Sequence, residues 1–175
     1  ARAGARDLFH QVGGFQVIIQ VLSSLDQAFT INNDDEAHEW SREADFQVIR
    51  ACMLLLAAAF GVGPEGGDPT KGHQLNRIYF REEIRYRTLS TCIKNSGLLC
   101  SEKYSESFVG LMFVLLTGSQ LAETAIEKCV ICNADAIHIF LDFLPDLKPS
   151  IALKALRRLN GVAGAAGAAE LEGLV

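Results

Sequence analysis

Residues 76–99 read NRIYFREEIRYRTLSTCIKNSGLL, and this stretch decides the fold class. Its apolar side chains are spaced as on one face of an amphipathic α-helix. They are Ile78, Phe80, Ile84, Leu89, Cys92 and Ile93. Ser96 and Gly97 then form a suitable helix end, because glycine adopts the left-handed backbone conformation at low cost. The stretch therefore predicts a helix that buries its apolar face against other helices.

Further helical patterns lie on both sides of this stretch. The predicted helices cover residues 15–29, 41–60, 108–116, 123–130, 133–144 and 151–159. Ser41 and Asn133 are their expected N-caps, and the run at 108–116 is apolar on every side, which predicts a central buried helix but leaves a buried strand open. The helix after Asn133 is expected to bury Ile137, Phe140, Leu141 and Leu144. Residues 32–39 and 61–72 are polar or rich in glycine and proline, so both predict surface loops.

An internal repeat indicates how these helices are arranged. Phe9, Phe15, Ile18 and Leu22 align with Phe80, Tyr86, Leu89 and Ile93 at a constant offset of 71 residues (80 − 9). A weaker alignment, at an offset of 121 (136 − 15), relates residues 15–22 to residues 136–143. Amphipathic helices that recur with some drift in length, joined by short Gly- or Pro-containing turns, are typical of an α-solenoid.

Three segments carry a family resemblance: LFHQVGGFQVIIQVLSSL (8–25), the stretch at 76–99, and NADAIHIFLDFLPDLKPSIALKALRRL (133–159). Together they resemble the armadillo-like region of BEACH-family scaffold proteins, of the beige, neurobeachin and Alfy class. The resemblance covers residues 6–160 and implies an all-α, armadillo-like α-solenoid of stacked amphipathic helices. It implies a repeat region over residues 1–160 and a flexible Gly/Ala-rich tail over residues 161–175.

The same resemblance implies a non-catalytic scaffold or interaction module that acts in vesicle trafficking or selective autophagy. Its partners would be other proteins, bound through the solenoid surface. One residue departs from the family pattern. Peptide-binding armadillo repeats carry an asparagine at the place that Arg158 occupies in ALKALRRLNG, so the resemblance does not imply a peptide-groove mechanism.

Composition narrows the class of protein. The net charge of −5 and the isoelectric point near 5.4 argue against general nucleic-acid binding. The mean hydropathy of +0.18 is high for a free-standing domain, and the chain begins without Met. We therefore expect a piece of a longer array whose end faces abut neighbouring repeats.

The cysteines and the apolar runs indicate where the protein acts. The five cysteines are an odd number and lie largely within apolar runs, which favours a reducing compartment over a disulfide framework. The longest uncharged apolar run, residues 51–64, is shorter than the roughly 18 residues that span a bilayer. We expect a cytoplasmic protein without a transmembrane segment, and the resemblance adds peripheral association with intracellular membranes.

Two motifs resemble binding sites, one for a nucleotide and one for zinc, and the residues around each argue against that function. Residues 61–66 match GxGxxG, but a helix-like run precedes them and carboxylates follow, so a nucleotide site is rejected. Cys129, Cys132 and His138 supply too few ligands for a closed zinc site. We expect no enzyme activity, no cofactor and no metal. The alternative is an all-α enzyme, or a metal- or ligand-binding bundle, that uses these three residues.

Basic residues are concentrated beside the first stretch. Residues 71–94 carry six basic and two acidic residues, a local charge of +4 (6 − 2), whereas residues 26–45 carry one basic and seven acidic residues, a local charge of −6 (1 − 7). Arg77, Arg81 and Arg85 would share one face of an unbroken helix, with Arg87 nearby. Two interpretations stay open: ion pairs within the stack, including Glu83 with Arg87, or a surface that binds an acidic partner or anionic lipid headgroups.

Overall fold

A computed structural model of the protein describes residues 9–30, 36–62, 71–118 and 131–172. These residues are helical or in turns, and no strand occurs among them. The α-helices are α1 (Gly14–Ser23), α2 (Glu36–Ala59), α3 (Lys71–Tyr79), α4 (Tyr86–Ser96), α5 (Glu102–Thr117), α6 (Ala136–Phe143) and α7 (Pro149–Glu172). A π-helical turn (Phe80–Ile84) joins α3 to α4, and short 3-10 turns follow α4 (Leu98–Cys100) and α6 (Leu144–Asp146).

The helices form two stacked layers. In one layer α1 packs on α4 and α4 packs on α6; in the other α2 packs on α5 and α5 packs on α7. The core between them is continuous, and α5 lies in its middle, with every residue from Leu111 to Thr117 buried. The predicted buried helix at 108–116 is therefore confirmed as part of α5, and the all-α solenoid fold is confirmed with it.

An aromatic cluster joins the two layers at one end of the core. The rings of Phe15, Phe60 and Phe80 lie with centroids 5.2 to 5.7 Å apart, and Tyr86 lies 5.0 Å from Phe80. Phe15, Phe60 and Phe80 are each 0% exposed. Phe80 forms an edge-to-face pair with each of the other three rings, and such pairs stabilise a core beyond the area that they bury. Residues from α1, the end of α2, the π-helical turn and α4 meet here.

The repeat at an offset of 71 residues also appears in the backbone. The Gly14 N–H donates to the Phe9 carbonyl at 3.0 Å, and the Arg85 N–H donates to the Phe80 carbonyl at 2.7 Å. Each bond spans five residues, the spacing of a π-turn, and the two bonds are themselves 71 residues apart (85 − 14). A residue with positive φ directly precedes each following helix: Gly13 at 72° before α1, and Arg85 at 68° before α4.

Replacing Arg85 with glycine should stabilise the fold. A side chain at positive φ costs about 1–3 kcal/mol, and glycine removes this strain. Glycine also loses more conformational freedom on folding, which offsets part of the stabilisation. We expect Arg85→Gly to raise the free energy of unfolding by roughly 1 kcal/mol in chemical denaturation. Arg87→Gly is the matched control, because Arg87 lies inside α4, where glycine destabilises a helix. A stability loss in Arg85→Gly would contradict the strain argument.

Two sequence-based helix starts are wrong. Helix α2 begins at Glu36, so Ser41 lies inside it and is not an N-cap, and residues 36–39 of the expected acidic loop are helical. Acidic side chains near a helix N-terminus are favourable, which explains the earlier start. Helix α3 begins at Lys71, inside the expected loop at 61–72. Residues 61–62 form a turn at the start of the second expected loop. Residues 32–35 and 63–70 of the two loops lie outside the described residues.

The C-terminal elements also differ from the expected ones. The N-cap of α6 is Asp135 rather than Asn133, and the helix buries Ala136, Ile139, Phe140 and Phe143 while Leu141 is 47% exposed. Helix α7 continues beyond residue 160 to Glu172, with Val162 fully buried, so the helix does not end where the tail was expected to begin. The flexibility of residues 161–175 stays a prediction. The short helix expected at 123–130 lies outside the described residues.

Candidate functional site

The arginine segment does not form one unbroken helix. Arg77 lies on α3, Arg81 lies in the π-helical turn, and Arg87 lies on α4. Arg85 sits at the break, with φ 68° and ψ 131°. The expectation of a single helix face carrying Arg77, Arg81 and Arg85 is therefore wrong, because a π-turn and a residue with positive φ interrupt the helix. Whether these residues bind an anion stays a prediction.

Arg77 is used inside the fold. Its Nε donates to the Phe60 carbonyl at 2.8 Å and its Nη1 donates to the Cys132 carbonyl at 2.7 Å. Beside it, the buried Asn76 donates from Nδ2 to the Ala59 carbonyl at 2.9 Å. The carbonyls at 59 and 60 stand at the end of α2, where they lack partners within the helix and where a positive charge is favourable. Arg77 therefore connects α3 to the end of α2 and to the segment that precedes α6.

The other three arginines of this segment, Arg81, Arg85 and Arg87, are exposed, and we call these three the exposed arginines. Arg81 forms an ion pair with Glu82 at 2.9 Å and a longer one with Asp135 at 4.0 Å. The hydrogen bond that Arg81 donates to Glu82 raises the pKa of Arg81. Within the described residues, Arg85 and Arg87 form no ion pair shorter than 4.0 Å, so the expected pair of Glu83 with Arg87 is absent there.

In the described part of the acidic segment, two carboxylates pair with a lysine, and no ion pair joins the segment to the exposed arginines. Glu39 and Glu43 on α2 lie 3.0 and 3.8 Å from the Lys103 Nζ on α5. The same layer continues with two further pairs: Lys148, directly before α7, lies 2.6 Å from Glu102 on α5, and Lys154 on α7 lies 2.9 Å from Glu106 on α5. Each exposed pair of this kind contributes only about 0–1 kcal/mol. These ion pairs along the layer are made by lysines and not by the exposed arginines.

A cleft opens between Glu39, Trp40, Glu43 and Lys103, with a volume of about 400 Å³. Trp40, the only tryptophan in the sequence, lines this cleft and is 78% exposed. Sequence reasoning missed this residue, because it lies between the loop expected at 32–39 and the helix expected from Ser41, and its exposure leaves no pattern in the periodicity. An exposed indole beside carboxylates can take up an apolar or cationic side chain of a partner.

A second cleft, of about 380 Å³, lies between α4 and α6. It is lined by Tyr86, Arg87, Ser90, His138, Ile139 and Asp142. The Ser90 hydroxyl donates to Asp142, whose carboxylate also lies 3.4 Å from the Lys94 Nζ. The hydrogen bond from Ser90 is the main reason that the pKa of Asp142 is below its ordinary value. Burial raises the pKa of Tyr86 to about 12.

Serine, histidine and aspartate in one cleft suggest a hydrolase, but their arrangement does not support one. In a catalytic triad the histidine lies between the serine and the carboxylate. Here Ser90 is 2% exposed and donates directly to Asp142, so the hydroxyl is occupied and shielded from a substrate. Ser90, Lys94 and Asp142 instead hold α4 against α6. Sequence reasoning could not find this network, because Ser90 and Asp142 are 52 residues apart.

The structure describes two of the three residues of the alternative function, and they have different surroundings. The Cys132 Sγ donates to the Thr117 carbonyl at 3.7 Å, whereas His138 is exposed in the cleft between α4 and α6. Cys129 lies outside the described residues. Among residues 9–30, 36–62, 71–118 and 131–172, no group of three or more His, Cys, Asp or Glu side chains is placed to hold a metal ion. None of the helices in those ranges has the length and apolar character needed to cross a bilayer.

Two layers of helices, a repeated core pattern and a repeated π-turn define the class: the protein is a helical-repeat protein of the α-solenoid type. A family model described as Armadillo-like repeats matches residues 1–128, and the chain belongs to this family. No solved structure matches the chain. The armadillo-like part of the resemblance is thus confirmed. Helices α6 and α7 lie beyond the matched residues and continue the same two layers.

Proposed function

We propose that the chain is a non-catalytic interaction module of a larger BEACH-type scaffold that acts in vesicle trafficking or selective autophagy. Membership of the armadillo-like family supports a role in binding proteins, and the three resembling segments support the BEACH class. The module works in the cytoplasm, in part at intracellular membranes. A pull-down from cell extract with this chain tests the cellular role. Recovery of vesicle or autophagy components supports it, and their consistent absence counts against it.

The exposed arginines are the part of the surface that we propose binds the partner, through an acidic protein segment. The observation that carries this is a contrast in pairing. Lys94, Lys103, Lys148 and Lys154 each lie within 4.0 Å of a carboxylate of the fold. Arg85 and Arg87 do not, among the described residues, and unlike Arg50 and Arg157, which also form no ion pair there, they lie two residues apart beside Arg81. Guanidinium groups bind carboxylates through two parallel hydrogen bonds, which suits an acidic peptide.

Charge reversal at Arg85 and Arg87 tests this proposal. The native chain should bind a glutamate-rich peptide at low salt and lose it as salt rises, because exposed charges are screened. Arg85→Glu with Arg87→Glu should weaken that binding at least roughly tenfold, which is about 1.4 kcal/mol. Fluorescence anisotropy of a labelled peptide measures the effect. The melting temperature should fall by no more than a few degrees, since both side chains are exposed and neither lies within 4.0 Å of a carboxylate in the described part of the fold, although the charge of Arg87 helps to lower the pKa of Asp142.

The matched control is Arg50→Glu with Arg157→Glu, which changes two exposed arginines on α2 and α7 and alters the net charge equally. It should retain most of the affinity for the peptide. Equal weakening in the control would show that only net charge matters and would overturn the site. Binding to phosphatidylserine vesicles without binding to the peptide would replace the protein partner with a lipid surface. No binding of the native chain to the peptide at low salt would also contradict the proposal.

A further inference from the structure

The cleft between α4 and α6 contains one of the exposed arginines, Arg87. Each helix lines the cleft with residues at helical spacing: Arg87 and Ser90 lie three apart on α4, and His138 and Asp142 lie four apart on α6. Because α4 packs on α6, the cleft brings together side chains that are far apart in the sequence. Both of its walls are helices of this chain, so the cleft does not depend on a neighbouring repeat.

The two charged groups that line the cleft differ in their surroundings. The Asp142 carboxylate accepts a hydrogen bond from the Ser90 hydroxyl and lies 3.4 Å from the Lys94 Nζ, so its charge is held within the fold. The Arg87 guanidinium is exposed and has no carboxylate within 4.0 Å among the described residues. The hydrogen bond from Ser90 is the main cause of the lowered pKa of Asp142, and the charge of Arg87 adds to it. Arg87 is therefore near Asp142 but remains open to a closer anion.

His138 supplies a second donor on the opposite wall of the cleft. It is exposed on α6, and an imidazole has at least one N–H donor in either charge state. Burial raises the pKa of Tyr86 to about 12, so its hydroxyl adds no negative charge at neutral pH. Tyr86 and Ile139 also give the cleft apolar surface. A volume of about 380 Å³ has room for one acidic side chain, with its methylene groups on that surface.

We propose that the cleft between α4 and α6 receives one glutamate side chain of the acidic partner segment, held between Arg87 and His138. The inference rests on the proposed binding of an acidic segment by the exposed arginines. It adds a contact residue on α6 and fixes where the segment crosses from α4 to α6. Asp142 opposes the ligand, because its carboxylate lies in the same cleft and repels a second carboxylate.

Two substitutions test the inference through opposite effects on affinity for the glutamate-rich peptide, measured by fluorescence anisotropy at low salt. His138→Ala removes a donor and should weaken binding about fivefold. Asp142→Asn removes the opposing charge and should strengthen binding about threefold. Asparagine still accepts the hydrogen bond from Ser90, and Lys94 keeps its ion pair with Asp146 at 3.0 Å, so α4 should stay against α6. Damage to the fold would not strengthen binding, so this gain separates contact with the ligand from a structural role.

Each substitution has a matched control. Asp146→Asn removes the same charge as Asp142→Asn, and Asp146 also pairs with Lys94, but Asp146 does not line the cleft. Leu141→Ala is the control for His138→Ala, because Leu141 is exposed on the same helix and does not line the cleft. Both controls should bind the peptide with close to native affinity.

The outcomes distinguish the cleft from the arginine surface. If Arg85→Glu with Arg87→Glu weakens binding but His138→Ala and Asp142→Asn both keep native affinity, the arginine surface stands and the cleft inference is overturned. Equal strengthening by Asp142→Asn and Asp146→Asn would show an effect of net charge alone and would also overturn it. A native chain that does not bind the peptide overturns both the proposed function and the cleft.

Discussion

Phe80→Ala should lower the free energy of unfolding by about 3–5 kcal/mol, the usual cost of removing a fully buried phenylalanine ring. Phe80 is 0% exposed, and its ring lies 5.2 Å from Phe15, 5.3 Å from Phe60 and 5.0 Å from Tyr86. These partners come from α1, the end of α2 and α4. The cavity would open where both layers meet, and the surrounding rings could not close it without separating helices.

Chemical denaturation followed by circular dichroism measures this effect. Phe80→Leu should cost less, because leucine refills part of the volume. Ile78→Ala is the control, since Ile78 is 48% exposed and lies two residues away in the same segment; its loss should stay within about 1 kcal/mol. A loss for Phe80→Ala as small as that of the control would show that the aromatic cluster does not hold the layers together.

The same cluster shows how far the sequence predicts this fold. Periodicity and the offset of 71 residues identify Phe15, Phe80 and Tyr86 as residues of apolar helix faces, because a buried helix face requires apolar residues at regular spacing in the sequence. Buried helices and the class of fold follow from such traces. Helix ends follow less well: Ser41 has the chemistry of an N-cap, but α2 begins five residues earlier, at Glu36.

The candidate site was harder to predict than the fold. The equal spacing of Arg77, Arg81 and Arg85 predicts a shared surface only if the helix is continuous. Residues 77–85 contain no glycine or proline that would indicate a break in the helix. The positive φ lies at Arg85 itself, where a sequence rule expects glycine. Hydrogen bonds between residues far apart in the sequence are harder still to predict, as with Arg77 and Cys132, which are 55 residues apart.

Arg77→Met should therefore be the most destabilising of the four arginine substitutions. Methionine keeps much of the apolar stem but removes the donors to the Phe60 and Cys132 carbonyls. Hydrogen bonds from a charged group contribute about 1.5–3 kcal/mol each, and a positive charge at the end of α2 adds to them. We expect the free energy of unfolding to fall by about 2–4 kcal/mol, as measured by urea denaturation at neutral pH.

Arg87→Met is the matched control, because Arg87 is exposed and forms no ion pair in the described residues. It should change stability by less than about 0.5 kcal/mol, as surface substitutions usually do. Arg77→Lys should recover only part of the loss, because an ammonium group cannot direct two donors in the fixed geometry of a guanidinium. Equal stability of Arg77→Met and Arg87→Met would assign both arginines to the surface. A large loss of stability at Arg77 alone would show that Arg77 has a structural role and that the exposed arginines do not. The even spacing of the arginines in the sequence gives no sign of this difference.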